Sequence, residues 1–543
     1  MTPRHHRQIP LERSSDAGAD VDVDVLVVGA GPTGLVAAAE ALRHGLSVRI
    51  IERRATRGAF SKALVVHART LEVFGTMGVA EEIRAVGAPF TALNMSFADD
   101  RRRVRVDLLG LPWGDTAYPY WLSVPQCDTE RVLEAHLGNL GGAVEWSCCL
   151  RELRDRGDFL DAVLERASGT ETVRARWVIG CDGGHSTVRD QSGIRLSRTG
   201  AGTTFLLADA KSTSDLVEDE GYLHLASRGL LLIVPMPEPG RWRLIVHVPT
   251  PALGGDSDVP AIDAVGLDNI IRQRAGIEFG SHDVSWTSQF DLTHGVADRF
   301  RAGRVFLAGD AAHIHSPVGG QGLNTGVQDA HNVIWKIAQA RHLSPQRAED
   351  LLNSYESERR GTAGPMVRGV ARTTTILTSR RWLIRQMVGW LAPRVLSRPR
   401  VQARLGRGVG MLNLSYAGTS RRAATLADGL QVGRRMPNPE LRRGDRLFDR
   451  MHGAGYHWVV LADSETPVPD PSAAHWRGAP VVFLPRTERR DLTGYPRHAR
   501  VVLVRPDGYI AAVGTDPEPL ADAVLPTTGS VDHGSIADSV RAI

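Results

Sequence analysis

The sequence predicts a multidomain chain of the α/β and α+β classes, and three observations carry that prediction. Its 543 residues are about three to four times a typical domain length, so more than one core is expected. From Asp22 the chain reads strand, tight glycine turn, helix and strand, and strand–helix alternation continues to about Gly193. Beyond it comes a stretch richer in strands, then a helical segment, then short strands with turns. With 42% hydrophobic residues the chain can fill several cores, and intrinsic disorder is excluded.

Taken in order, residues 1–20 are polar, basic and aperiodic, which predicts a disordered tail. Val23–Val28 is a strand, Pro32 to Arg43 a helix, and Ser47–Ile51 the next strand. Phe205–Ala210, Leu230–Pro235 and Trp242–Pro249 are candidate strands of a second sheet. Arg304–Ala308 is a strand leading into a glycine-rich turn and a helix that runs to about Ala340. Residues 345–410 are mostly helical with Arg on the polar side, and Gly433–Pro439 reads as a linker. The chain ends in short strands such as Arg500–Arg505, followed by Pro506-Asp507-Gly508. The expected domains are 21–194 with 291–345, a sheet domain at 195–290, a helical segment at 346–430 and a last domain at 431–543.

Charge and cysteine usage exclude several functions. The formal charge is +4, and Arg runs such as Arg101–Arg103 and Arg380-Arg381 are short, so no nucleic-acid partner is expected. Four cysteines include no CxxC pair, which predicts neither zinc nor redox work and fits reduced thiols in the cytoplasm. The apolar run Val21–Leu42 is interrupted by Asp22, Asp24, Glu40 and three glycines, so no membrane partner is expected. GxxxxGKS/T, HExxH and GxSxG motifs are missing, as are the paired-Trp motif of flavin halogenases and the FxGxxxHxxxW fingerprint of one Baeyer–Villiger class.

Three motifs carry the chemistry. Gly29-Ala30-Gly31-Pro32-Thr33-Gly34 follows a strand and opens a helix: Gly29 makes the turn, Gly31 admits a pyrophosphate, and Gly34 lets helix and strand close together. Glu52 ends the next strand, where a carboxylate holds ribose hydroxyls and repels a 2′-phosphate, favouring FAD or NAD over NADP here. The second motif is Trp177-Val178-Ile179-Gly180-Cys181-Asp182-Gly183-Gly184, with Ser186 and Arg189 behind it. In the third, the 304–309 strand delivers Asp310 to its C-terminal edge, ahead of Ala311-Ala312-His313 and Pro317-Val318-Gly319-Gly320-Gln321-Gly322-Leu323-Asn324. Its glycines let the backbone approach a flat ring, and the following helix aims its amides at charge there.

In this order and spacing the motifs resemble the group A FAD-dependent monooxygenases, the family of para-hydroxybenzoate hydroxylase, over residues 22 to about 400. Within it the sequence is similar to polyketide-tailoring and antibiotic-modifying enzymes with a C-terminal thioredoxin-like domain. The resemblance implies a Rossmann-like FAD-binding domain (21–194, 291–345), a β-sheet substrate domain and a thioredoxin-like domain without redox cysteines. It implies that Gly29, Gly31, Gly34, Glu52 and Arg53, with Pro32 and Thr33 in the turn, hold the ADP part of non-covalent FAD. Gln126 would meet the flavin side and Asp182 the edge shared with nicotinamide. Asp310 would bind the ribityl chain, and Pro317 and Gly320, Gly322, Leu323 and Asn324 would line the ring. Lys62 stands where the family usually has Arg, replacing a fork-shaped contact by a point charge.

The implied reaction uses NADPH or NADH and O₂ to hydroxylate an aromatic polyketide-type substrate through a flavin C4a-hydroperoxide. Baeyer–Villiger oxygenation of a polycyclic ketone, an antibiotic-inactivating monooxygenase, and a flavin-dependent reductase or dehydrogenase are the alternatives. Tyr222 and His224, in the second sheet, are candidates to polarise a phenol, while His313 and His315 are expected to serve packing or backbone hydrogen bonding. Trp242 and Trp286 are expected in the core. The protein is expected to be a monomer or homodimer, with a structural last domain whose deletion exposes core surface and causes aggregation without altering the flavin reaction in any soluble remainder.

Overall fold

The computed structural model describes residues 21–60, 63–97, 102–199, 203–226, 229–249, 263–291, 293–314, 319–377, 382–416, 430–441, 444–461, 475–476, 479–484, 500–515 and 520. The 1–20 tail therefore lies outside the described residues.

The valine-rich Val23–Val28 strand is buried on both faces, as its unbroken apolar run demands. It pairs in parallel with Val48–Glu52 on one side and with Gly169–Gly180 on the other. Val144–Trp146 and Val305–Leu307 extend this parallel sheet outward. The Pro32–Arg43 helix packs against the Gln321–Ala340 helix beside it. Ala37, Ala38 and Ala39 are fully buried, and their small side chains allow a close approach.

The second sheet has seven strands in the order His282–Asp291, Thr203–Lys211, Arg241–Pro249, Gly229–Pro235, Glu220–Ala226, Ala92–Phe97, Arg102–Asp107. The last two strands correct the expected boundary, since both come from within 21–194. Ala92–Phe97 pairs in parallel with Glu220–Ala226, more than a hundred residues later in the chain. Local alternation marks a strand without saying which sheet it joins. One face of this sheet is covered by the Ala264–Ala275 helix, whose Leu267 and Ile271 meet Leu231, Ile233 and Leu244. The opposite face looks toward the first domain.

The segment after Leu343 forms three helices, Pro345–Leu377, Trp382–Leu396 and Pro399–Val409. The last domain is built on a mixed five-stranded sheet, with His457–Leu461 central between Ala479–Leu484 and Arg500–Val504. The described residues of this domain leave the thioredoxin-like expectation untested. Gly433–Pro439 is no free linker: Met436 is fully buried, and the Arg435 guanidinium sits on Glu72 and Asp115 of the first domain.

Candidate functional site

The first glycine turn has the geometry its sequence requires. Gly29 sits at φ +103°, and a Cβ there would lie 2.5 Å from the Cys181 carbonyl oxygen. A Cβ on Gly34 would lie 1.8 Å from the Gly29 oxygen. At Gly31 an added Cβ meets nothing within 4 Å, so this glycine opens on space beside the start of the Pro32–Arg43 helix. Pro32 takes the first helical position, where its missing N–H costs nothing, and no side chain caps the remaining amides. The free amides there offer donors to an anion such as a pyrophosphate. Thr33 turns away from it, its Oγ1 standing 2.7 Å from where a Cβ on Gly309 would be and 2.3 Å from one on Gly326. Thr33 thus locks the first motif to the third.

Glu52 accepts the Ala30 amide at 3.0 Å and the Arg54 amide and Nε at 3.1 Å each. Burial raises its pKa, but the Arg54 side chain and the two amides outweigh burial and hold the carboxyl below its ordinary value. The ionised carboxylate at this strand end suits a ribose. Arg53 is exposed, so the guanidinium that braces Glu52 belongs to Arg54, which the sequence reading passed over. Gln126 begins the Gln126–Asn139 helix, donating its amide to Ala63 O at 3.2 Å and its side chain to Glu130 at 2.8 Å. Lys62 and Pro317 lie outside the described residues.

Asp182 does not present a free carboxylate. Its oxygens accept the Ser186 hydroxyl and, at 3.1 Å, the Val188 amide, and burial raises its pKa. It braces the turn into the Thr187–Gln191 helix, a role its spacing did not show. Arg189 then ties this turn to the third motif, donating to Gly184 O at 3.0 Å and Ala311 O at 3.2 Å.

In the third motif every residue from Val305 to His313 is buried except Asp310. The burial has a visible cause. Asp329, fully buried, accepts the Gly309 amide at 3.1 Å, His313 Nε2 at 2.7 Å and Arg359 Nε at 2.6 Å. The backbone is pinned from behind, and the one side chain left outside is a carboxylate at the sheet's C-terminal edge. His313 serves this internal network through a side-chain carboxylate, not the backbone bond expected, and His315 lies outside the described residues. If Asp310 accepts ribityl hydroxyls, Asp310→Ala should weaken FAD binding to the apoprotein by about 1–3 kcal/mol. FAD titration reads this, and an unchanged affinity would move Asp310 off the cofactor.

Gly319 and Gly320 adopt φ +89° and +61°, and Gln321–Ala340 begins immediately after, with Gly322 and Leu323 in its first turn. Asn324 is fully engaged: its Nδ2 donates to Gly320 O (2.6 Å) and Val65 O (2.8 Å), while Oδ1 accepts the His67 amide (2.8 Å). Its amide shapes the loop. His67 donates from Nε2 to Gly319 O at 2.9 Å. Burial pushes its pKa down to about 4, which keeps the ring neutral near pH 7. No motif in the sequence pointed to His67; only its proximity to the loop reveals it.

Tyr222 and His224 are corrected by the sheet's facing. Both lie on the side covered by the Ala264–Ala275 helix, where Tyr222 packs edge-on to Trp242 and accepts the Val217 amide at 2.9 Å. His224 Nδ1 meets the Ser96 hydroxyl at 2.7 Å. The face toward the glycine loops instead carries Leu93, Met95, Leu225, Leu232, Trp286 and Phe290 around a buried apolar layer. Trp242 is core, whereas Trp286 is half-buried and stacks on Phe60 at 6.1 Å. Arg243 and Asp209 form a buried two-pronged pair on that face, and Arg243 also reaches Ala63 O at 3.2 Å. Tyr222→Phe should therefore cost only about 0.5–1.5 kcal/mol of stability and leave kcat unchanged. A large fall in kcat in a stably folded variant would return Tyr222 to the chemistry.

An open helix start, an ionised strand-end carboxylate and an exposed carboxylate share one sheet edge, beneath a glycine backbone and opposite an apolar sheet face. That combination defines a flavin-dependent oxidoreductase. A family profile described as an FAD binding domain matches residues 22–370, and one described as aromatic-ring hydroxylase, C-terminal, matches 430–530. The chain is 33% identical over 517 residues to a 6-methylpretetramide 4-monooxygenase of Streptomyces rimosus, covering 90% of each. It is 32% identical to a rifampicin monooxygenase of Streptomyces venezuelae, covering 94% of this chain and all of that one. A solved anhydrotetracycline hydroxylase from Streptomyces rimosus superposes with a TM-score of 0.72 at 30% identity, over 92% of this chain and 98% of that one. The chain belongs to the family of FAD-dependent aromatic-ring hydroxylases. It is an FAD-dependent monooxygenase, of a class whose usual co-substrates are NAD(P)H and O₂.

Proposed function

We propose that this enzyme hydroxylates a flat, polycyclic aromatic substrate of the polyketide type. The observation that carries the reading is the sheet face opposite the glycine loops, whose half-buried side chains are aliphatic, thioether and aromatic. Such a wall takes up an extended apolar ring system and keeps water out. The relatives named for tetracycline-type and rifampicin substrates point the same way. Monomeric or dimeric enzyme in the cytoplasm fits this role.

Bound FAD supplies the two-electron carrier and the oxygen-activating ring. The chain's own groups do the rest. Amides at the start of the Gln321–Ala340 helix would stabilise negative charge on a ring held there. His67 and Asn324 hold Gly319 and Gly320 in position, and the apolar face sets which substrate carbon approaches. Catalysis then depends on orientation and exclusion of water more than on a side-chain acid or base.

The test is turnover of a panel of phenolic polyketides under labelled O₂. One labelled oxygen on a ring carbon supports hydroxylation; a ring-expanded lactone would assign Baeyer–Villiger chemistry, and an oxygen-free product a reductase. Loss of antibacterial potency in the product would mark an antibiotic-inactivating role. Substrate should also control the first step, because the sequence holds only one glycine-rich nucleotide fold and the nicotinamide must visit transiently. Stopped-flow flavin reduction is expected to be slow alone and clearly faster with substrate. Equal rates with a verified substrate would refute this control.

A further inference from the structure

The overall charge of +4 conceals an uneven distribution. Between Arg359 and Ala427 there are fourteen arginines and no Asp, Glu or Lys, while the rest of the chain has 51 basic against 61 acidic residues. The short Arg380-Arg381 run thus belongs to one long acid-free segment.

The outer part of this segment is the Trp382–Leu396 helix and its neighbour Pro399–Val409. One side of Trp382–Leu396 leans on the Arg102–Asp107 strand. The other exposes Met387 (65%), Trp390 (52%) and Leu391 (47%), at helical spacings that share one face. Ile376, near the end of the preceding helix, is 48% exposed. Basic residues frame this apolar stripe. Arg394 continues it by one turn, its guanidinium 4.4 Å from the Trp390 ring centre, and Arg398, Arg400 and Arg404 are exposed beyond. Among the described residues no carboxylate pairs with these four.

We infer that this face docks on an anionic lipid surface. A second copy of the chain fits poorly, because a two-fold contact would set arginine against arginine with no acid nearby. A nucleic acid would satisfy the arginines and leave Met387 and Leu391 in water. A bilayer surface with anionic headgroups satisfies both sets. The apolar side chains and the Trp ring enter the headgroup boundary, and the arginines reach lipid phosphates on their long stems. With 15 residues the helix is too short to span and would lie in the plane. The inference is independent of the substrate reading.

The test uses the full-length, FAD-loaded enzyme in co-sedimentation with phosphatidylcholine vesicles, with and without phosphatidylglycerol. The enzyme should pellet with the mixed vesicles at low ionic strength, bind pure phosphatidylcholine weakly, and be released by salt. A Trp390→Ser, Leu391→Ser double variant should lose binding while keeping its flavin content. Arg398→Gln and Arg400→Gln should each weaken binding about fivefold, the equivalent of about 1 kcal/mol per charge. No binding to phosphatidylglycerol vesicles, or binding unchanged in the Trp390/Leu391 variant, would overturn the inference. So would a dimer in sedimentation velocity that Trp390→Ser dissociates, or retention on duplex DNA in place of vesicles.

Discussion

Gly34→Ala is expected to yield protein without bound flavin. The added methyl would stand 1.8 Å from the Gly29 carbonyl oxygen, a distance no contact tolerates. The obstruction is backbone, and Gly29 is itself fixed against Cys181 and Asp182, so neither side can give. The helix must lift off the strand, opening the phosphate turn. The cost should exceed the roughly 1–3 kcal/mol typical of an overfilled core, where side chains can shift. Gly31→Ala supplies the contrast. Its methyl meets nothing in the protein, so the apoprotein should melt normally, while the space for phosphate is reduced. Flavin absorbance after purification, read with thermal melts of both apoproteins, separates the two cases. A Gly34→Ala protein that purifies yellow with normal stability would contradict the close packing described here.

Arg505→Met should cost about 3–5 kcal/mol of stability, the usual result of breaking a buried charge network from one side. Arg505 comes from the last domain and is buried against the Gln321–Ala340 and Pro345–Leu377 helices. It donates to Glu358 at 2.7 and 2.9 Å and to Asp507, with its guanidinium 4.9 Å from the Trp335 ring centre. Lys336 and Asn332 of the Gln321–Ala340 helix complete the cluster, both bonded to Glu358. Without Arg505, the Glu358 and Asp507 carboxylates are left with too little positive charge. The effect is also visible in pH. Burial alone would raise the Glu358 pKa, but Arg505 and Lys336 bring it down to about 2. A carboxyl held low in the folded state contributes stability above its unfolded value, and that stability is lost as pH falls toward 2. In the variant the folded pKa rises, so acid destabilisation should begin at higher pH. Melting temperature against pH measures both effects, and a wild-type profile would rule the network out as a stabilising element.

The same cluster changes the expectation for the last domain. Arg69, at the start of the Ala68–Met77 helix, donates to the Asp507 carbonyl, and Glu72 on that helix is held by Arg435. Glu358 neighbours Arg359 in sequence, and Arg359 holds the Asp329 that pins Gly309. Truncation near residue 430 would strip partners from buried charges directly behind the flavin loops. Aggregation remains the expected result, but an unaltered flavin reaction in a soluble remainder does not.

The sequence alone determined what is decided within a few residues. Gly29 and Gly34 could be assigned because a left-handed turn and a helix pressed onto a strand leave no room for a Cβ, whatever the rest of the chain does. Glu52 followed from its spacing, and the order of the three motifs carried the family. Tertiary structure decided what depends on facing and on distant partners. Asp182 and Asp310 both follow strands, yet one also braces its own turn, while the other stands exposed on a backbone that Asp329 and Arg359 pin from later helices. Tyr222 and His224 alternate correctly for one sheet face, but an alternation of period two is the same for either face. The Ala264–Ala275 helix settled which side they took. His67, Arg54 and the pairing of Ala92–Phe97 with Glu220–Ala226 were illegible for the same reason: each is defined by a neighbour or a direction that local spacing does not encode.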